Sequence, residues 1–365
     1  MSFDKIGFIG LGLIGGSIAK TIKRLYPEKK LYATSGHLAT VTEAFEDHTI
    51  ENDTLLSLEE IAACDLIFLC TPVQKNIEYL HALKPLLKEG TILTDVGSVK
   101  SDIHDAAKAA GMEHCFIGGH PMTGSEKTGY SNATAYLLEN AYYIITPTAC
   151  SPADKVSEFK SLVQSLGAIP LVLNHTAHDH ATATISHLPH IVAASLVNLV
   201  QQIDDEQETM KTIAAGGFKD ITRIASSSAV MWENICLSNK EQILDILDQF
   251  QTQLAGIRGQ IASANGQEIF DFFQSAKDYR DSITITTPGA YKKVYELYCD
   301  LIDEAGGIAT LATILASNNL SIKNIGIIHN REFEDGVLHL EMYDQDSLQK
   351  SVELLRKYHY TVYER

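Results

Sequence analysis

Three polar segments of this 365-residue chain carry the residues best suited to chemistry. Ser98 stands in Asp95-Val96-Gly97-Ser98-Val99-Lys100. His120 stands in Gly118-Gly119-His120-Pro121-Met122-Thr123-Gly124-Ser125-Glu126-Lys127, and Arg223 closes Gly216-Gly217-Phe218-Lys219-Asp220-Ile221-Thr222-Arg223. A fourth segment, Ser186-His187-Leu188-Pro189-His190, adds two histidines. A neutral imidazole accepts a proton near pH 7, and a hydroxyl beside it orients the alcohol that gives the proton up. A guanidinium grips a carboxylate through two parallel hydrogen bonds, which an ammonium cannot do. Each residue also has a plain reading. His120 can be a hydrogen-bonded turn histidine before Pro121, Arg223 an ion pair with Asp220, and His190 a core histidine filling a bend at Pro189.

A fifth segment points to a ligand. Gly10-Leu11-Gly12-Leu13-Ile14-Gly15 follows the apolar run Lys5–Ile9 and opens the helical stretch Ser17–Tyr26. In that context GxGxxG suits a dinucleotide: one glycine for the turn, one for close approach of the pyrophosphate, one for helix–strand packing, and free N–H groups at the helix start. Gly10, Gly12, Leu13, Ile14 and Gly15 are therefore the expected phosphate cradle. Thr71 and Pro72, at the end of the apolar run Leu66–Leu69, and Ser98 are further expected cofactor contacts. The second strand ends in Tyr32-Ala33-Thr34-Ser35-Gly36-His37, with neither the acid that binds a ribose 2′-hydroxyl nor the arginine that suits a 2′-phosphate. Ser35 serves either cofactor; NAD is expected and NADP stays open.

These segments need elements to position them. Short unalternating apolar runs at Leu66–Leu69, Thr91–Thr94, Phe116–Ile117, Tyr142–Thr146 and Pro170–Leu173 alternate with helical stretches, which predicts a doubly wound parallel sheet over residues 1–175. Ser98 and His120 then lie where ligands bind such sheets, outside the strand carboxyl ends. Residues 176–285 read as helical. Pro189 is expected to kink the first helix, Thr176–Ile203, and the stripe Ile243, Ile246, Leu247, Phe250 is expected to need a second copy to cover it. Thr286-Thr287-Pro288-Gly289 reads as a linker. Residues 293–365 read as βαββαβ, a ferredoxin-like module with a turn at Gly306-Gly307.

Composition excludes several classes. Acidic residues outnumber basic ones, 46 to 29, for a net charge of −17, so no nucleic-acid or anionic membrane surface is expected. No apolar run is expected to reach the ~18 residues of a membrane span and no signal peptide is visible, so a cytoplasmic chain is expected. The six cysteines form no CxxC pair and read as free thiols. His175, His178, His180 and His187 match no tight metal-ligand spacing, so no metal is expected. Trp232 reads as packing or as a pocket wall, and Glu126 as a tuning group or a solvent-facing one.

In order and spacing, DVGSVK, GGHPMTGSEKTG, SHLPH and GGFKDITRIA resemble bacterial prephenate dehydrogenases with a C-terminal ACT domain. The resemblance covers nearly the whole chain. It implies a Rossmann domain, a helical dimerisation domain, and conversion of prephenate to 4-hydroxyphenylpyruvate, CO2 and NADH on the way to tyrosine. It implies His120 as the catalytic base, Ser98 as the serine orienting the substrate, and Arg223, His190 and Ser125 as substrate contacts. Arg223 is expected on the pyruvyl carboxylate, because a cation on the ring carboxylate would hold back the group that leaves as neutral CO2. It further implies a homodimer, and L-tyrosine as an inhibitor acting at Gly306 and Gly307. The rivals are arogenate as substrate, a β-hydroxyacid dehydrogenase, for which Lys219 is the sole lysine candidate and sits in the wrong motif, and a non-catalytic amino-acid sensor.

Overall fold

The computed structural model describes residues 3–124, 127–283, 295–300, 306–328 and 337–364. The chain divides into two compact units, Met1–Ile283 and Thr284–Arg365.

The first unit opens with β1 (Lys5–Ile9), α1 (Leu13–Leu25), β2 (Lys30–Thr34), α2 (Leu38–Glu46), α3 (Leu58–Ala62), β3 (Leu66–Leu69), α4 (Val73–Leu83), β4 (Ile92–Asp95) and α5 (Ser101–Ala109). The four strands form a parallel sheet in the order β2-β1-β3-β4. Both faces are covered, so successive residues feed opposite cores. Ile6, Phe8, Leu66 and Phe68 join one with Ile18, Ile22 and Phe159. Ile9, Ile67 and Leu69 join the other with Leu80, Leu83 and Ile103. Burial on both sides is why these strands lack a polar alternation in sequence.

The sheet then departs from the all-parallel expectation. The strands β5 (Ile117–Pro121), β6 (Tyr142–Pro147) and β7 (Ile169–Val172), with α6 (Ala153–Ser165) before β7, form a separate three-stranded sheet. β5 runs antiparallel to β6, and β6 parallel to β7. A single bridge, Leu93 to Phe116, links the two sheets. An antiparallel return needs no crossover helix, and among its described residues the segment between β5 and β6 supplies only a 3₁₀ turn at Tyr130–Asn132. His120 thus sits inside a strand, not in a turn before Pro121.

The helical part comprises α7 (His175–Thr182), α8 (Leu188–Ile203), α9 (Thr209–Ile213), α10 (Gly216–Thr222), α11 (Ala229–Ser238), α12 (Lys240–Ala262) and α13 (Gly266–Ser282). Between α7 and α8 the chain makes one π-helical turn, Ala183–His187. Pro189 falls in the first turn of α8, directly after this wider turn. The stripe on α12 has a partner within the chain, contrary to expectation. Ile243 and Ile246 pack with Ala183, Leu188, Ile191 and Leu247 and are buried. The apolar side chains left exposed are others: Ile203, Ile213, Ile221, Leu237, Leu254, Phe270 and Phe273. The continuous helical stretch His175–Ile203 is also long and apolar enough to cross a membrane by length and composition, against the expectation that no run would be.

The second unit holds β8 (Tyr295–Asp300), α14 (Gly307–Ser317), β9 (Ile322–Ile328), β10 (Val337–Met342), α15 (Gln345–Lys357) and β11 (Val362–Glu364). Its sheet is antiparallel in the order β11-β8-β10-β9. Leu297, Cys299, Leu338 and Leu340 face Leu311, Leu315, Val352 and Leu355 of the two helices, a core of its own.

Candidate active site

At the glycine loop the backbone geometry explains the residue types. Gly10 has φ of +96°, and a Cβ there would lie 2.8 Å from the Cys70 carbonyl oxygen. A Cβ on Gly15 would lie 2.6 Å from the Gly10 carbonyl oxygen. Both positions are glycine because α1 is pressed against the end of β3. Gly12 differs: a Cβ there meets nothing within 4 Å. It is the N-cap of α1 and offers no side-chain acceptor, so the first-turn N–H groups face open space with the helix dipole behind them. That cradle fits a pyrophosphate. Ser35 is half-buried beyond β2, and His37 is the exposed N-cap of α2.

Thr71 and Pro72 form the β3–α4 turn. Asn76, fully buried, accepts from the Thr71 N–H at 3.1 Å and hydroxyl at 2.6 Å and donates to the Leu69 carbonyl at 3.3 Å. Sequence reading passed over Asn76. A cavity of about 280 Å³ lies between this turn, the Gly97-Ser98-Val99 loop and α11, with Met231 and Asn234 among its lining.

The Ser98 loop is tied to the His120 strand from beneath. Asp95, fully buried, accepts from the Gly97 N–H at 2.9 Å and the Gly119 N–H at 3.2 Å. The Lys100 ammonium, also fully buried, pairs with Asp95 and donates to the Gly119 carbonyl at 2.9 Å. Burial pulls that ammonium toward neutrality, against the pull of Asp95.

His120 does not stand alone. Its Nδ1 lies 2.8 Å from His178 Nε2, and His178 Nδ1 lies 2.8 Å from Asp179 Oδ1. The Asp179 carboxylate also accepts the N–H groups of Lys100 at 2.8 Å and Ser101 at 2.7 Å. Burial raises the Asp179 carboxyl, but the bonds from His178, Ser101 and Lys100 outweigh it and hold the carboxyl below its ordinary value. Burial first, then His178, Lys100 and His187, push the His120 imidazole well below its ordinary value, so it is neutral at pH 7. Asn239, buried, donates to the Asp179 carbonyl at 2.9 Å and meets His187 Nδ1 at 3.1 Å. The sequence reading weighed His178 only as a metal ligand and did not weigh Asp179. The available signal was a histidine and an aspartate adjacent in a helical stretch. Among the described residues, no group of three or more His, Cys, Asp or Glu is arranged to hold a metal.

Across the site the His190 ring lies 4.0 Å from Trp232, and His187 meets the same indole edge-on at 5.9 Å. His190 bonds the Ile224 backbone beside Arg223. Burial and the Arg223 charge keep it below its ordinary pKa despite that bond. Arg223 begins the 3₁₀ turn after α10. Ser125 and Glu126 lie outside the described residues.

A parallel sheet with a glycine cradle, and a neutral histidine near the end of β5 tied to the Ser98 loop, define a nicotinamide-dependent dehydrogenase of the Rossmann class. Residues 18–171 match the prephenate dehydrogenase nucleotide-binding domain, and residues 174–275 match the prephenate dehydrogenase dimerization domain. The chain belongs to the prephenate dehydrogenase family. It is 36% identical over 350 residues to the prephenate dehydrogenase of Bacillus subtilis (strain 168), covering 95% of this chain and 94% of the relative. It is 31% identical over 281 residues to the cyclohexadienyl dehydrogenase of Zymomonas mobilis, covering 76% and 95%. The structure of prephenate dehydrogenase from A. aeolicus, in complex with hydroxyphenyl propionate and NAD+, superposes with a TM-score of 0.73 at 28% identity, covering 78% of this chain and 99% of that one.

Proposed function

We infer that this chain is an NAD-dependent dehydrogenase that oxidatively decarboxylates prephenate to 4-hydroxyphenylpyruvate. The observation that carries the reading is the match to the Bacillus subtilis enzyme across nearly the full length of both chains. In charge and atoms, prephenate dianion and NAD+ balance 4-hydroxyphenylpyruvate monoanion, CO2 and NADH with no proton released. Bound NAD supplies the hydride acceptor. The residues of this chain supply the rest. Neutral His120 takes the proton of the ring hydroxyl as its carbon becomes a carbonyl, and the phenol oxygen regains a proton once CO2 has left and the ring is aromatic. Ser98 orients the hydroxyl. Arg223 grips the pyruvyl carboxylate, with His190, which lies against Trp232, and Ser125 as further substrate contacts. The cradle Gly10, Gly12, Leu13, Ile14 and Gly15 takes the pyrophosphate, with Ser35 at the ribose and Thr71 and Pro72 near the nicotinamide. Positioning and one proton acceptor are the protein's main contributions, the latter worth ~10²–10⁴-fold.

Arogenate is a second reading, supported by the cyclohexadienyl dehydrogenase relative. NADH-linked absorbance with prephenate and arogenate, each with NAD and NADP, separates the four combinations. Activity with none of them rejects the inference.

The finer domain reading is a Rossmann domain at 1–175, a helical dimerisation domain at 176–285 and an ACT domain at 293–365, in a cytoplasmic homodimer. The match to a dimerization domain and the exposed apolar side chains of the helices support the dimer. A sedimentation profile showing only monomer at micromolar concentration contradicts it. Strand order and the βαββαβ sequence support the ferredoxin-like ACT assignment. Gly306, at φ of +94° and the N-cap of α14, and Gly307 leave backbone N–H groups for the carboxylate of L-tyrosine, the proposed inhibitor.

A further inference from the structure

Resting on the reading of His120 as the proton acceptor, we propose that His178 and Asp179 form a positioning dyad. It selects the His120 tautomer whose Nε2 is unprotonated and holds the ring in place while the proton is taken and returned. An ionised carboxylate has no hydrogen to give, so at the 2.8 Å contact with Asp179 Oδ1 it is His178 Nδ1 that donates. A neutral His178 then has only a lone pair at Nε2. The 2.8 Å contact with His120 Nδ1 therefore requires His120 Nδ1–H to donate. With its single hydrogen committed there, neutral His120 presents an unprotonated Nε2, the state a general base needs.

Asp179 is well placed to anchor this chain. Its two oxygens accept the N–H groups of Lys100 and Ser101, which lie at the start of α5 directly after the Ser98 loop. One carboxylate therefore fixes both the tautomer of the proposed base and the seat of the proposed orienting serine. His178 and Asp179 are both buried, so water does not compete for these bonds. The reaction releases no net proton, so the base must stay aligned through both halves of the cycle. A ring free to rotate or to switch tautomer would lose that alignment.

The test uses the full chain with NAD and prephenate. His178→Leu removes the acceptor for His120 Nδ1–H. It should lower kcat by about 100-fold while leaving KM for prephenate within about threefold. His178→Gln restores an acceptor without a ring, and should recover at least about tenfold of that loss. In wild-type protein labelled with ¹⁵N at histidine, long-range ¹H–¹⁵N correlation should report His120 as the Nδ1–H tautomer. An Nε2–H tautomer overturns the proposal, as does a kcat within threefold in His178→Leu, or a Gln variant no better than Leu at equal melting temperature. If the variants fail to fold, the wild-type tautomer decides. His120→Ala separates the two levels. Full activity there rejects His120 as the base, whereas an inactive His120→Ala beside an unimpaired His178→Leu rejects the dyad alone.

Discussion

His120 is available as an acceptor because its surroundings keep it uncharged. Burial first, then the neighbouring His178, Lys100 and His187, keep it neutral, and a neutral imidazole is the form that abstracts. His120→Ala is expected to lower turnover by at least about 100-fold with little change in cofactor affinity, since the phosphate cradle lies on other elements. Steady-state kinetics with NAD titration checks this, and a kcat within threefold of wild type removes His120 from the chemistry. Arg223 acts in both ground and transition states if it holds a carboxylate that does not react. Arg223→Ala should then raise KM for prephenate far more than it lowers kcat. A loss confined to kcat contradicts a binding role.

Two strands and a helix start meet over the buried Lys100–Asp95 pair, and that pair links the chemistry to the fold. Asp95 holds the backbone of Gly97 and Gly119 while Lys100 holds the Gly119 carbonyl. The Ser98 loop and the His120 strand thereby share one anchor. Lys100→Met leaves a carboxylate buried without its cation, which costs about 3–5 kcal/mol. The expected readout is a lower urea midpoint with an unchanged slope, accompanied by a fall in kcat; a midpoint equal to wild type counts against the anchor.

For the molecule as a whole, buried histidines set an acid limit. Burial, then His175 and Lys100, depress His104 to about 3. Burial, with His178 and His190 adding to it against the pull of Asp179, depresses His187 to about 4. Both folded values lie below the unfolded value of about 6.5, so the unfolded chain binds more protons in the interval between. Stability is therefore full above about pH 6.5 and falls as pH drops through that window, by at most about 1.4 kcal/mol per pH unit for each histidine. Melting temperatures from pH 7.5 to 4.5 should decline accordingly, and a flat profile rejects this. The two units have separate cores, so removal of residues 293–365 should leave an active dehydrogenase. Tyrosine at saturating prephenate should inhibit the full chain and not the truncated one. Equal inhibition of both places the effect at the active site. A tyrosine that binds two states equally shifts nothing.

Period and motif made much of this protein legible. Unalternating strands imply a sheet covered on both faces, and Ile67 and Phe68 indeed feed opposite cores. Gly10 and Gly15 announced a turn and a close approach, because only their lack of a Cβ meets those demands. The βαββαβ order of the last unit followed from local alternation alone. What stayed hidden depends on which surfaces meet. No local pattern distinguishes an α12 stripe covered by the chain's own α8 from one left for a partner. None indicates that β5 turns antiparallel, since pairing partners lie across a loop whose path is set by packing. Asn239 and Asp179 matter through bonds to residues brought near only by folding, and a single polar letter carries no sign of its partner. The His178–His120 contact spans 58 positions of sequence. A histidine's type is written in the chain, but which of its nitrogens holds the proton is decided by the neighbour that tertiary structure supplies.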